Sequence, residues 1–137
     1  LKKNFYDIVT INEVFEHLPN KKIIEVIKIL KYISKSDSTF IISVPIEIGL
    51  SSLVKNVIRI IFKSTHDGTT LNNLIRSIFQ RKINRGNKPY ISSHIGFNHN
   101  DLKKILNNHF SIKKITYSPF GILKSNLNSQ IFFVCKL

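Results

Sequence analysis

The fold of this chain turns on one stretch, Tyr6-Asp7-Ile8-Val9-Thr10-Ile11-Asn12-Glu13-Val14-Phe15-Glu16-His17-Leu18-Pro19. Its first half is a short apolar run, Ile8 to Ile11, of the kind that forms a buried strand in a parallel sheet. The run gives way to a polar, acidic corner at Asn12 and Glu13, followed by Glu16 and His17. In open α/β sheets ligands lie outside the carboxyl ends of the strands. The corner from Asn12 to His17 is therefore where chemistry is expected.

Working outward, Pro19 stops the corner and Asn20 is placed as an N-cap. The spacing predicts a helix over 21–34, with Ile23, Ile24, Ile27, Leu30 and Ile33 on one face. Lys21, Lys22, Glu25, Lys28 and Lys31 fill the other face, and Glu25 is placed to pair with Lys28. Ser34 to Ser38 reads as a polar turn. A second strand follows over Thr39 to Val44, ended by Pro45 because proline cannot donate to a central ladder. Strand, short connection, helix and strand make one crossover unit with parallel strands.

Residues 48–93 read as a helical insertion in a single domain of 137 residues. Leu50, Leu53, Val54, Val57, Ile58 and Ile61 form one apolar stripe. Leu71, Leu74, Ile75, Ile78 and Phe79 form another beyond a turn at His66-Asp67-Gly68, so a helical hairpin is expected. It leaves from the second strand's carboxyl end, which suits a lid over the substrate side. Its outer faces carry Lys55, Arg59, Lys63, Arg76, Arg81 and Lys82, a pattern open to an anionic acceptor, an anionic membrane surface, or a plain solvated face. Asn98 followed by Asp101 resembles a capping box. The helix it opens runs to about Asn108 and buries Leu102, Ile105 and Leu106. Phe110, Ile112, Ile115 and Tyr117 mark a half-buried strand to Ser118. Ser129 to Leu137 is the last strand, antiparallel to its neighbour because no helix of crossover length separates them.

A net charge of +13, from 21 basic and 8 acidic residues, invites an anionic partner. The lysines are evenly spread, however, with no block of like charge and no aromatic-basic alternation, which ranks nucleic acid low. Cys135, the single cysteine, sits in an apolar run and is expected to be a buried free thiol, as in a reducing cytoplasm. No segment approaches the roughly 18 apolar residues of a spanning helix. The opening Leu1-Lys2-Lys3-Asn4 has no initiator methionine and runs directly into a strand, so further sequence upstream is expected. No histidine pair stands at metal-ligand spacing with an acidic partner, and no metal site is expected.

The pattern Tyr6-Asp7-Ile8-Val9, then Glu13-Val14-Phe15-Glu16-His17-Leu18-Pro19, resembles the second half of class I S-adenosylmethionine-dependent methyltransferases of the type 11/23 kind. The match is close over about a dozen residues. It continues more loosely through His94, Gly96-Phe97, the helix after it and the two last strands. The resemblance implies a partial Rossmann-like α/β sheet of two parallel strands plus a carboxyl-terminal antiparallel pair, and S-adenosylmethionine as cofactor. It implies that Asn12, Glu13 and Val14 border the cofactor and that Glu16 and His17 begin the substrate side, the acceptor being a small molecule or sugar. Glu47, just after the strand end at Val44-Pro45, either faces the same crevice as a substrate-binding residue or simply starts the insertion. His17 and His94 become candidate catalytic bases, although packing or hydrogen bonding is the commoner use of such histidines. Asp7 is expected to tie the sheet to a neighbouring loop. His66, His99 and His109 read as surface residues. The family's glycine-rich loop has no counterpart here, since Gly49, Gly68, Gly86, Gly96 and Gly121 form no G-x-G after a strand. The chain is then expected to hold only part of the cofactor site, the alternatives being a catalytically dead remnant or a basic binding domain.

Overall fold

A computed structural model of the chain describes residues 1–47, 91, 97–123, 125 and 128–137. The expected helical hairpin lies outside the described residues, as does His94. Four strands and two helices are described: β1 (Tyr6–Asn12), α1 (Asn20–Ile33), β2 (Ser34–Pro45), α2 (His99–His109), β3 (Ser111–Ser118) and β4 (Gln130–Lys136). Short 3-10 turns cover Phe15–His17 and Gly121–Leu123. The sheet order is β1-β2-β4-β3, with β1 and β2 parallel and β4 antiparallel to both of its neighbours. This is the expected α/β arrangement of a parallel pair followed by an antiparallel pair. β4 inserts between β2 and β3, where both of its edges are satisfied.

One sheet face builds the core. Ile11 pairs with Ile42 and Ile42 with Phe133; Phe40 lies opposite Cys135 and Val44 opposite Ile131. Side chains directly opposite each other share a face. Against that face pack Ile23, Ile27 and Leu30 of α1 and Leu102 and Leu106 of α2. The Phe40 and Phe110 rings lie 4.6 Å apart at their centroids. Cys135 is a buried free thiol whose pKa burial pushes up to about 11, so it is inert as a nucleophile near neutrality.

Several local expectations are corrected by this packing. Pro19, not Asn20, occupies the N-cap position of α1, and its carbonyl accepts from Lys22 and Ile23 without a side-chain cap. Glu25 is held by Lys22 at 2.7 Å rather than by Lys28. Ser34 to Ser38, expected as a turn, belongs to β2: Tyr6 pairs with Ser34 and Ile8 with Thr39, so the intervening residues bulge. Polar side chains of the bulge find partners on β1. Ser38 Oγ donates to the Tyr6 carbonyl at 2.6 Å, and Lys35 Nζ meets Asp7 Oδ1 at 2.6 Å, so Asp7 pairs with the neighbouring strand rather than tying the sheet to a loop. In β3 the register slips between Ile112 and Lys114. The extra residue re-phases the strand, and it accounts for the three-residue step from Ile112 to Ile115 in an otherwise alternating pattern. His99, expected on the surface, is buried at the start of α2, where burial, with Lys103 nearby, holds its pKa below the usual value.

β1 departs from the expected buried strand. Only Ile11 is buried, and Ile8 is 63 % exposed, because among the described residues β1 has a partner on one side only. The start of α2 follows expectation in one half. Asn98 Oδ1 accepts from the Asn100 N–H at 2.9 Å, while the Asp101 carboxylate turns to Lys104 at 3.4 Å instead of reaching back. Replacing Asn98 by alanine is expected to cost about 1 kcal/mol. The loss should appear as a lower denaturant midpoint with an unchanged slope.

A candidate active site at the carboxyl end of the parallel strands

The corner is built on the last rung of the β1–β2 ladder, where Asn12 stands opposite Ser43. Ser43 is buried, and its Oγ donates to Asn12 Oδ1 at 3.1 Å. The ladder continues one step past the strand, the Glu13 N–H donating to the Ser43 carbonyl at 3.0 Å. Glu13 then takes φ of +54°, in the left-handed region. A side chain there costs about 1–2 kcal/mol relative to a right-handed conformation, so the surrounding bonds must hold it. One of them crosses the sheet: Gln130 Nε2, at the start of β4, donates to Glu13 Oε1 at 3.0 Å. The reversal also leads the chain into the 3-10 turn Phe15–His17, which is anchored by the fully buried Phe15 ring.

Glu16 is buried on that turn. Its carboxyl is pushed up to about 7, chiefly by burial. A backbone hydrogen bond and His17 act the other way, and the Glu13 carboxylate, which shares a hydrogen bond with it, adds to the rise. The pair therefore keeps a proton near neutral pH that an exposed glutamate would have lost. His17 Nε2 lies 3.6 Å from Glu16 Oε1. Its Nδ1 is 2.7 Å from the carbonyl of Ile91, whose N–H in turn donates to the His17 carbonyl at 2.9 Å. A carbonyl only accepts, so Nδ1 carries the hydrogen and the lone pair of the neutral ring sits on Nε2, toward Glu16.

The structure thus brings Asn12, Glu13, Glu16 and His17 into one bonded corner. Val14 stands beside them, 41 % exposed. Glu47 is buried just past the carboxyl end of β2, where the Ile46 N–H donates to the Ser129 carbonyl at 2.9 Å. Two participants were not legible in sequence. Ser43 is a polar interruption in the apolar run Phe40 to Val44, and that break was the available signal. Gln130 gave none, being 117 residues from its partner.

Asn12 Oδ1 accepts from Ser43, and its amide group is a hydrogen-bond donor at an exposed position, next in sequence to the Glu13 carboxylate and the apolar Val14. A donor, an acceptor and an apolar contact side by side can hold one edge of a polar organic ligand. Among the described residues no group of three or more His, Cys, Asp or Glu could hold a metal ion, and no helix is long and apolar enough to cross a membrane.

No family model matches the sequence, and no curated protein matches it. Among solved structures, a SAM dependent methyltransferase from Archaeoglobus fulgidus is similar over the whole of this chain, at 18% identity and a TM-score of 0.43. The chain spans 62% of the length of that protein's chain.

Proposed function

We propose that the chain is the carboxyl-terminal part of an S-adenosylmethionine-dependent methyltransferase acting on a small-molecule or sugar acceptor. The observation that carries this reading is the strained Glu13. A non-glycine residue is held at positive φ at the carboxyl end of a parallel strand, and its carboxylate is fixed by Gln130 of β4, on the other side of β2. Strain of this kind persists where the surroundings over-determine it, often at functional sites. The quoted motif from Tyr6 to Pro19 supports the same assignment. The corner fits an edge of the cofactor: Asn12 offers amide donors, Glu13 a carboxylate for a hydroxyl or amino group, and Val14 an apolar surface.

The bound cofactor supplies an electrophilic methyl group on a sulfonium, so the protein's part is mostly positioning. A hydroxyl acceptor must also lose a proton. Glu16, held near neutrality, and His17, whose Nε2 lone pair faces it, form a proton-holding pair at the edge of the corner. His17 also positions, through Nδ1, the backbone at Ile91 where the chain returns from the insertion. Glu47 and His94 are assigned to the acceptor side.

Amide chemical-shift mapping with S-adenosylmethionine tests the reading, since it detects weak binding. Shifts are expected at Asn12, Glu13 and Val14, and Glu13→Ala should diminish them. Shifts absent even at millimolar cofactor would defeat the proposal. Micromolar affinity by calorimetry would instead show that this chain holds the whole cofactor site, against the partial site proposed.

A further inference from the structure

We infer that the β3–β4 loop is a membrane-docking tip, with Phe120 and Ile122 entering the interface of an anionic bilayer. β3 ends at Ser118, opposite Gln130, and Gln130 lies opposite Pro45 and bonds Glu13. The loop therefore leaves the sheet at the end that carries the corner. It presents Phe120 at 59 % and Ile122 at 95 % exposure, on a 3-10 turn whose Gly121 has open space around the position of a β-carbon. Together on one turn these two side chains form a small apolar patch at the surface.

The turn is held rigidly. The buried Asn128 side chain accepts from the Phe120 N–H and donates to the Phe120 carbonyl, clamping both backbone groups. Ser129 closes the base, its N–H donating to the Ser118 carbonyl at 2.9 Å. A preorganised tip loses little conformational freedom when its side chains are buried.

The shape selects the occupant. Two apolar side chains on a convex turn present too little area for a stable protein interface, which needs a surface of roughly 800 Å² per partner. A protrusion also cannot enclose a small molecule, because ligand sites are concave. A soft, deformable interface accepts a convex wedge directly. Charge favours an anionic one: the chain carries +13, and residues 119–129 contain no acid, with Lys124 next in sequence to the apolar residues. Lysines near such a surface supply long-range attraction, and the apolar tip supplies the short-range hold. Docked in this way, the corner's end of the sheet faces the bilayer. This inference does not need the methyl-transfer reading, although a lipid-linked acceptor would be consistent with both.

The chain has no tryptophan, so Phe120→Trp places a single, selectively excitable tryptophan at the tip. With vesicles of phosphatidylcholine and phosphatidylserine its emission should shift to the blue, and brominated lipid should quench it. The wild-type chain should co-sediment with these vesicles, far less with phosphatidylcholine alone. Phe120→Ser combined with Ile122→Ser should lower partition about tenfold or more, with thermal unfolding unchanged because both side chains are exposed. Unchanged partition in the double variant, or bound protein with unshifted Trp emission, would assign binding to the lysines alone and overturn the inference. So would failure to bind anionic vesicles at all. None of these readouts depends on cofactor binding.

Discussion

Replacing Phe133 by alanine is expected to destabilise the protein by about 3–5 kcal/mol. Phe133 is fully buried in β4, the strand between β2 and β3, with Ile42 opposite on one side and Ile115 on the other. Truncation removes the transfer energy of the ring and leaves a cavity that two sheet neighbours and the overlying helices cannot fill by relaxation. Against a total stability of roughly 5–15 kcal/mol for a domain, the variant loses a large share of its margin. Phe133→Leu, which keeps most of the volume, should cost much less. Ile8→Ala, on the exposed edge strand, should cost less still. Urea titration of the three variants checks the ranking; a Phe133→Ala cost below that of Ile8→Ala would contradict the core described here.

Glu16→Gln should alter how stability depends on pH. The folded carboxyl is raised to about 7 from an ordinary value of 4.5, mainly by burial and partly by Glu13, with His17 opposing. Between those two values the native state binds a proton that the unfolded chain has released, so stability falls as pH rises through the window. Below about pH 4.5 both states are protonated and the penalty is absent; above about pH 7 it is fully developed. At about 1.4 kcal/mol per pH unit the penalty is on the order of 3 kcal/mol. Glutamine keeps the shape without the charge. The variant should match the wild type near pH 4 and exceed it increasingly toward pH 8. Glu13→Gln is the companion variant, because removing the neighbouring carboxylate should lower the Glu16 pKa and narrow the window. Denaturant midpoints across this range give the answer. Parallel pH curves for wild type and Glu16→Gln would mean that Glu16 ionises no differently in the folded and unfolded states.

These two expectations show what was readable in advance. The apolar run Ile8–Ile11 located β1, the Ile23, Ile27 and Leu30 stripe located α1, and the spacing of Phe110 to Tyr117 located β3, though not its register slip. Local pattern determines such elements because burial acts on one face at a fixed period. The acidic corner was legible for the same reason, since polar residues that break a strand pattern mark its end. Strand neighbours were not. That β4 lies between β2 and β3, so that Gln130 reaches Glu13, depends on which edges remain to be paired once the chain has collapsed. The positive φ of Glu13 was equally hidden, as glutamate has no local preference for it, and the bonds to Ser43 and Gln130 that hold it there come from residues distant in sequence. The sequence by itself determined the elements and the position of the corner. Tertiary structure alone decided that Ser34 to Ser38 joins a strand rather than a turn, that His99 is buried, and that Glu16 keeps its proton near neutrality. Each of these depends on desolvation and hydrogen bonding by residues distant in sequence, which no local pattern records.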